Sequence, residues 1–175
     1  MSPKSPEDLH YATWPTAWGH MGAVAGTKGL RRVVLPHYQS NDLKALLAWH
    51  HPGAVLNEEP FLRFIELARE YFNSRTVDFS EVLCDLPRGE SFTGKVLRAC
   101  REIPYGQTWA YSQLASAIAR PDSARAVATA LSKNHIPLVI PCHRVIYADG
   151  RPGGFSAEGG AELKYRMLQL EAGGN

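Results

Sequence analysis

The sequence predicts an α+β protein built from two units, residues 1–88 and residues 89–175. Three observations support this organisation. Short β-branched runs and helical patterns alternate in the first unit, whereas helical patterns dominate the second. The stretch Asp-Leu-Pro-Arg-Gly at 85–89 interrupts regular structure between them. A chain of 175 residues is also long enough to bury a substantial core.

Composition and charge indicate an ordinary soluble protein, with 45% hydrophobic and 21% charged residues. The net charge of +2 does not by itself indicate nucleic acid. Residues 89–175 hold ten Lys/Arg and seven Asp/Glu, giving +3, whereas residues 1–88 hold nine and ten, giving −1. That asymmetry permits a polyanionic partner on the second unit. No apolar run approaches the ~20 residues that cross a bilayer, so we expect a cytoplasmic protein without a membrane partner.

The three cysteines form no CxxC pair, and their odd number argues against a disulfide framework or a zinc site. We therefore expect a reducing compartment and no metal. Cys100 falls on the apolar face of its predicted helix, and no residue near Cys84 in the sequence is a candidate partner for its thiol. Both cysteines are therefore interpreted as structural. The adjacent histidines at 50–51 point to different helix faces and do not predict a metal site.

The first unit is expected to begin with a frayed tail and then to form a hairpin and two helices. Proline and glycine bound most of these elements. Nothing in this unit looks catalytic. In order, the predicted elements are a tail over 1–9, strands over 18–25 and 29–35 joined by a turn at 26–29, a helix capped by Asp42 and broken at 52–53, a helix over 59–72, and a third strand at 77–79.

The second unit is predicted to hold four helices. Asp122 is a suitable N-cap for the third of them. In order, the elements are a helix over 91–101, a turn at 104–107, helices over 111–119 and 122–133, a buried strand or extended segment over 136–140, a glycine-containing loop over 147–155, and a helix over 160–171.

Cys142 is the focus of the second unit. It follows a proline that fixes the backbone, and His143 and Arg144 come directly after it. A cysteine in a sequence is more often a small buried hydrophobe than a reactive group. A thiol on a rigid turn beside an imidazole nevertheless favours a nucleophile, because a thiol needs an adjacent base at neutral pH.

The helix over 122–133 carries small side chains and cations on the face opposite its apolar stripe. Arg125, Ala126, Thr129 and Lys133 form that face. Small residues let a helix approach a DNA groove closely, and cations meet phosphates. The same face also fits an ordinary solvated helix. Together with the preceding helix it forms a helix-turn-helix pattern, and the two interpretations then stand about even.

Glu171 shares a helix face with Leu163 and Met167, although it lies in the last turn, where the helix dipole disfavours an anion. A carboxylate directed inward there requires a partner such as an imidazolium or an arginine. The alternative is that the helix end frays and frees Glu171 into solvent.

These motifs resemble the O6-alkylguanine-DNA alkyltransferase family. The resemblance is carried by Pro141-Cys142-His143-Arg144-Val145, by Ala124–Val127 and by Asn134. It extends through 105–108, 111–115 and 154–156, covers residues 92–171 well, and reaches the first unit weakly at 18–19 and 32–36. It implies a ribonuclease-H-like first unit and a winged-helix-like second unit that carries the active site. Irreversible, single-turnover alkyl transfer from guanine O6 in double-stranded DNA is the implied function, with thymine O4 left open as a second target.

The resemblance implies Cys142 as the alkyl acceptor, His143 as its base through a water, and Glu171 as the group that orients the imidazole. It implies no cofactor, and we expect a monomer. The base must be flipped out of the duplex to reach the thiol. Arg125 would then take the vacated place in the stack, and Ala126 and Thr129 would face the groove.

The resemblance also places residues around the flipped base. Tyr111 would donate to the base ring, the Val145 carbonyl would accept from the guanine amino group, and Ser156 would donate near O6. Asn134 would tie the recognition helix to the active-site strand. Phe155 stands where some members have a tyrosine, and the stretch 157–159 looks longer than in some members. These departures bear on the tolerance of bulky alkyl groups.

Three other interpretations compete with alkyl transfer. A non-catalytic protein that binds alkylated DNA would lack the reactive cysteine, whereas Cys142 is present. A cysteine hydrolase would turn over, but adjacent residues rarely serve as nucleophile and base on one substrate. A winged-helix regulator would have no use for the thiol.

Overall fold

A four-stranded sheet forms the first unit of the computed structural model, which describes residues 8–173. Its strand order is β3-β2-β1-β4, with the first three strands antiparallel and β4 parallel to β1. The predicted hairpin is confirmed, and residues 1–7 of the predicted tail lie outside the described residues. The first strand was not predicted, because Pro15 obscures its alternation of buried Ala12 and Trp14. The strands are β1 His10–Thr16, β2 Gly19–Gly26, β3 Gly29–Val34 and β4 Val55–Leu56.

Two helices of the first unit agree with the sequence prediction. These are α1 Ser40–His50 and α2 Leu62–Phe72, the second preceded by a 3-10 turn at Glu59–Phe61. Asp42 lies in the first turn of α1 rather than at its N-cap, which is Gln39.

The prediction of a third strand at 77–79 is wrong. The Asp78 carboxylate accepts hydrogen bonds from the backbone N–H and the hydroxyl of Ser80, at 2.8 and 2.9 Å. These bonds hold the segment in a turn, so it does not pair as a strand. Val77 and Phe79 are nevertheless buried, which accounts for the strand-like pattern.

The second unit contains four helices and a two-stranded parallel sheet. The predicted final helix is confirmed. The third helix is shorter than predicted and Asp122 is not its N-cap, because Ser123 N–H donates to the Arg120 carbonyl and closes a turn before the helix begins. The elements are α3 Phe92–Arg101, β5 Trp109–Ala110, α4 Tyr111–Ala117, α5 Ala124–Leu131, β6 Val145–Ile146 and α6 Gly160–Glu171.

The segment 136–140 is buried as expected, but it is a turn and not a strand. Ile140 N–H donates to the Ile136 carbonyl at 3.0 Å. Leu138 has a φ of 77°. A left-handed conformation of a leucine is costly, and surrounding packing must hold it. The turn delivers the chain directly to Cys142.

The two units share one continuous hydrophobic core. Polar contacts also join them: Val33 N–H donates to the His135 carbonyl at 2.8 Å, and Arg32 pairs with Glu158 at 3.2 Å. The predicted boundary at 85–89 is therefore a connection between two units that pack against each other. No helix within residues 8–173 is long and apolar enough to cross a membrane.

Candidate active site

Cys142 begins a 3-10 turn, Cys142–Arg144, immediately after Pro141. Its side chain is buried, and its Sγ accepts a hydrogen bond from Asn134 Nδ2 at 3.1 Å. The same amide nitrogen donates to the Ile140 carbonyl at 2.9 Å, and Asn134 Oδ1 accepts from Ile136 N–H at 3.0 Å. Asn134 thus joins the end of the α5 region to both sides of the turn that carries the thiol.

Burial raises the pKa of the Cys142 thiol, whereas the Asn134 hydrogen bond and the Lys164 charge act to lower it. Burial is the larger influence, so the thiol is protonated at neutral pH. A nucleophilic Cys142 therefore requires a base to remove its proton.

His143 faces Glu171 within the protein. Its Nε2 lies 2.6 Å from Glu171 Oε1, and the His143 side chain is completely buried. Burial lowers the pKa of His143, so the ring is neutral at pH 7. We assign the proton to Nε2, where the carboxylate accepts it. Nδ1 then has a free lone pair, and it is buried without a hydrogen-bond partner among residues 8–173.

Glu171 receives donors on both carboxylate oxygens. Arg144 donates through Nε to Oε2 at 2.9 Å and through Nη2 to Oε1 at 3.1 Å. Gly106 N–H and the Tyr71 hydroxyl complete the set, at 3.1 and 2.8 Å. Burial alone would raise the pKa of Glu171, but the hydrogen bond from His143, together with the hydrogen bonds and the charge of Arg144, outweighs it and lowers the pKa to about 2. The expectation of an inward Glu171 with an imidazole or arginine partner is confirmed, and the structure supplies both.

These pKa shifts predict acid sensitivity of the fold. The pKa of His143 is lowered from 6.5, and that of Glu171 is lowered from 4.5 to about 2. For both groups the unfolded chain binds the proton first, so the free energy of unfolding should decrease as the pH falls from about 6.5 and further between 4.5 and about 2. Glu171 alone should account for about 3 kcal/mol of that loss. Urea titrations at pH 7, 5 and 3 measure it, and equal stability at all three would contradict the expectation.

A cavity of about 370 Å³ lies against Cys142. The structure brings three further predicted residues, Tyr111, Phe155 and Ser156, to its wall. Gly153 has a φ of 76°, and a Cβ there would lie 2.9 Å from the Tyr111 hydroxyl, so a larger residue would strain the backbone and displace Tyr111. The complete lining consists of Tyr111, Ala128, Leu131, Ser132, Cys142, Tyr147, Gly154, Phe155 and Ser156.

Helix α5 presents a second face to solvent. The predicted residues Arg125, Ala126 and Thr129 are all exposed there, and the Thr129 hydroxyl donates to the Arg125 carbonyl at 3.2 Å. On another side of the same helix, Ala128 and Leu131 contribute to the wall of the cavity. One helix therefore connects an exposed stripe of small side chains to the thiol cavity.

Lys164 is a further residue of the site, and it was not predicted from the sequence. Its ammonium donates to the Val145 carbonyl at 2.6 Å and to the Gly154 carbonyl at 3.2 Å, so it joins the strand after Cys142 to the loop beside the cavity. Burial lowers the pKa of Lys164 to about 8. The spacing from Lys164 to Met167 and Glu171 places it on the buried face of α6, and this was the available signal.

Arg144 as the partner of Glu171 was not predicted from the sequence either, and neither was Tyr71. Tyr71 lies three residues after Ala68 and seven after Phe64, on the apolar face of α2. That periodicity could have shown that it is buried. Only the packing of the two units shows that it reaches Glu171.

A larger groove of about 840 Å³ lies between the segment 76–80 and α3. Its Arg101 is bound by three backbone carbonyls and its Arg98 by two, so both guanidinium groups are already occupied. The groove does not include Cys142, and it meets the site only at Arg144, which forms part of its wall. Within residues 8–173 no group of three or more His, Cys, Asp or Glu side chains could hold a metal ion.

Comparison with known proteins relates this site to a family. A family model described as the DNA binding domain of 6-O-methylguanine DNA methyltransferase matches residues 91–173. The methylated-DNA–protein-cysteine methyltransferase of Methanosarcina acetivorans is 32% identical over 93% of this chain and 98% of its own length. The methylated-DNA–protein-cysteine methyltransferase of Haemophilus influenzae is also 32% identical, over 93% of this chain and 86% of its own length.

Solved structures agree. The crystal structure of Mycobacterium tuberculosis O6-methylguanine methyltransferase matches with a TM-score of 0.76 at 29% identity, over 95% of this chain and 94% of that one. The crystal structure of Mycobacterium tuberculosis OGT in complex with DNA also matches with a TM-score of 0.76 at 29% identity, over 94% of this chain and 93% of that one. The fold and the DNA binding domain thus define a two-unit protein of the methyltransferase class. The chain belongs to the methylated-DNA–protein-cysteine methyltransferase family, which confirms the resemblance and the enzyme class predicted from the motifs.

Proposed function

We propose that this chain repairs double-stranded DNA by moving an alkyl group from guanine O6 to the Sγ of Cys142, and that each molecule reacts once. The observation that carries the proposal is a buried thiol that borders a cavity and has a buried histidine–carboxylate pair beside it. The names of the relatives, which describe methylated DNA and a protein cysteine, support it.

The reaction follows from the protonation states. The thiol proton passes through a water to His143 Nδ1, the ring atom with a free lone pair. Sγ then attacks the alkyl carbon, the bond from that carbon to O6 breaks, and its electron pair stays on the base. The base takes up one proton from solvent and the imidazolium later returns the thiol proton to solvent, so that in sum one proton moves from the thiol to the base. Glu171 stabilises the imidazolium that forms. The product is a thioether, which water does not cleave, and so Cys142 is not regenerated.

Access to the base requires flipping, because O6 is stacked inside the duplex. We assign the exposed face of α5 to the groove, with Ala126 and Thr129 allowing close approach and Arg125 occupying the place that the base leaves. Asn134 keeps this helix in register with the thiol through its bonds to Ile140 and Cys142.

Around the flipped base, we assign the Tyr111 hydroxyl to the ring and Ser156 to the region of O6, with Phe155 beside them in the wall of the cavity. The Val145 carbonyl would accept from the guanine amino group. Lys164 already donates to this carbonyl, but a carbonyl oxygen can accept two hydrogen bonds.

Three further properties belong to the proposal. O4-alkylthymine is a second substrate, because transfer involves the same alkyl carbon and a comparable leaving oxygen. The protein acts as a monomer, because one chain holds every group named above. It works in the cytoplasm, where the free thiols of Cys84, Cys100 and Cys142 stay reduced.

The test is peptide mass after the protein is mixed with a duplex that contains one O6-methylguanine. We expect one methyl group on the peptide that contains Cys142, in stoichiometric amount, and none in Cys142→Ser. The matched control is Cys100→Ser, whose buried thiol does not border the cavity and which should react like the wild type. Lesion binding without mass gain would instead indicate a damage-binding protein. A duplex with O4-methylthymine tests the second substrate in the same way.

Replacing Arg125 with alanine tests base flipping. We expect the rate of transfer from the duplex lesion to fall roughly 10- to 100-fold, because unstacking a base costs a few kcal/mol that the inserted side chain offsets. Transfer from free O6-benzylguanine, which needs no flipping, should be unchanged. Equal losses with both substrates would show that Arg125 acts on the chemistry or the fold instead.

A further inference from the structure

Tyr71 belongs to α2 of the first unit, yet it reaches the histidine–carboxylate pair of the second. Its side chain is completely buried, and its hydroxyl donates to Glu171 Oε1 at 2.8 Å. The Tyr71 hydroxyl oxygen also lies 3.4 Å from His143 Nε2. The rings of Tyr71 and His143 meet edge to face, with their centroids 6.4 Å apart. The first unit therefore contributes a polar group at this pair.

The hydroxyl of Tyr71 can act only as a donor toward the carboxylate. Burial and the negative charge of Glu171 keep its proton in place by raising the pKa of Tyr71 well above its usual value. Glu171 Oε1 consequently accepts from Tyr71, from His143 and from Arg144 at once. An oxygen shared among three donors attracts each of them less strongly than it would attract two.

We propose that Tyr71 is a positioning residue for alkyl transfer: by sharing Oε1, it sets the orientation and the basicity of His143. The inference rests on the proposed function, in which His143 takes the thiol proton. It gives the ribonuclease-H-like unit a part in the chemistry beyond packing.

The charged and titratable groups that face His143 fix the direction of the effect. They are Tyr71 from α2, Glu171 and Lys164 from α6, and Arg144 from the turn of His143 itself. Removal of the Tyr71 hydroxyl leaves the two cations in place and makes Oε1 a better acceptor for the His143 proton. The protonated ring is then favoured, so the pKa of His143 rises.

The experiment compares Tyr71→Phe with the wild type in the pH dependence of the single-turnover transfer rate from an O6-methylguanine duplex, between pH 5 and 9. Transfer needs neutral His143, so the rate should increase with pH through the pKa of that ring. In Tyr71→Phe we expect the midpoint of the increase to move up by about 0.5 to 1 pH unit.

Tyr105→Phe is the matched control. The Tyr105 ring lies 6.0 Å from that of Tyr71, but among residues 8–173 its hydroxyl makes no hydrogen bond to Glu171. Its pH profile should coincide with that of the wild type. A profile of Tyr71→Phe that also coincides with the wild type, whatever its melting temperature, would overturn the proposal and leave Tyr71 a packing residue.

A second substitution covers a failure of Tyr71→Phe to fold. 3-Fluorotyrosine at position 71 keeps the ring and the hydroxyl but makes the hydroxyl a stronger donor, so the midpoint should move to lower pH. An unchanged midpoint would again overturn the proposal. A wild-type protein that transfers no alkyl group at any pH would instead overturn the proposed function, so the two failures are distinguishable.

Discussion

Glu171→Gln is expected to lower the free energy of unfolding by about 3–5 kcal/mol at pH 7, the cost of leaving a buried charge without its partner. The carboxylate accepts from Arg144 twice and from His143, Tyr71 and Gly106 once each. A glutamine has the same shape, but it has lost the charge, and its NH₂ group cannot accept a hydrogen bond. At least two of these donors then face another donor in a buried site. Urea titration measures the loss from the midpoint at constant slope.

The matched control is Glu162→Gln, an exposed glutamate in the first turn of the same helix. It should change the free energy of unfolding by no more than about 0.5 kcal/mol, since it removes only a favourable interaction with the helix dipole. If both variants unfold at the same urea concentration as the wild type, the buried cluster does not stabilise the fold.

A second substitution on the variant background separates charge from packing. Arg144→Met combined with Glu171→Gln removes the cation that the first change leaves uncompensated. The double variant should be more stable than Glu171→Gln alone, because a buried cation without a partner costs more than an apolar side chain of similar size. If the double variant loses the sum of the unfolding free energies that Arg144→Met and Glu171→Gln lose separately, the two residues act independently.

Lys164→Met is expected to slow alkyl transfer at pH 7 by roughly tenfold, which corresponds to ~1.4 kcal/mol in the barrier, about the worth of one hydrogen bond to a charged group. The Lys164 ammonium acts to lower the pKa of the Cys142 thiol, so its removal raises that pKa further and leaves less of the reactive thiolate. The variant also leaves the Val145 and Gly154 carbonyls without their shared donor. The loop beside the cavity is then less firmly held, which should reduce the rate further for the duplex substrate.

The measurement is the rate at which a small alkylating reagent modifies Cys142 as a function of pH, together with the rate of transfer from the duplex. We expect the reagent profile to shift to higher pH in Lys164→Met. Lys95→Met is the control, because Lys95 pairs with Glu90 on the exposed side of α3. An unchanged reagent profile with slower duplex transfer would assign Lys164 to the loop alone.

The sequence predicted the parts of the site that are local in the chain. The proline before Cys142 and the imidazole after it marked the thiol. The helical position of Glu171 indicated either an inward carboxylate with a partner or a frayed helix end, and the structure has the first. The exposed stripe of Arg125, Ala126 and Thr129 likewise followed from helix periodicity and is observed on α5.

Other features depend on tertiary packing, which local patterns do not encode. The apolar run at 136–140 reads as a strand, but the left-handed Leu138 turns it, and only the surrounding core holds that conformation. Tyr71 and Glu171 are 100 positions apart, so their hydrogen bond could not be inferred without the docking of the two units. The segment 77–79 differs from the prediction for a local reason. The Asp78 carboxylate accepts a hydrogen bond from the Ser80 N–H, and the segment forms a turn in place of the predicted strand.

The hydrogen bond between Tyr71 and Glu171 also bears on biosynthesis. The chain leaves the ribosome from its N-terminus, so Tyr71 and then Cys142 emerge well before Glu171. Until α6 has been made, His143 has no carboxylate and the Val145 carbonyl lacks Lys164. A nascent chain that ends before α6 therefore exposes a thiol without its base arrangement. In the proposed function, Cys142 therefore becomes reactive only once α6 has been made, after synthesis of the α5 face that we assign to the DNA groove.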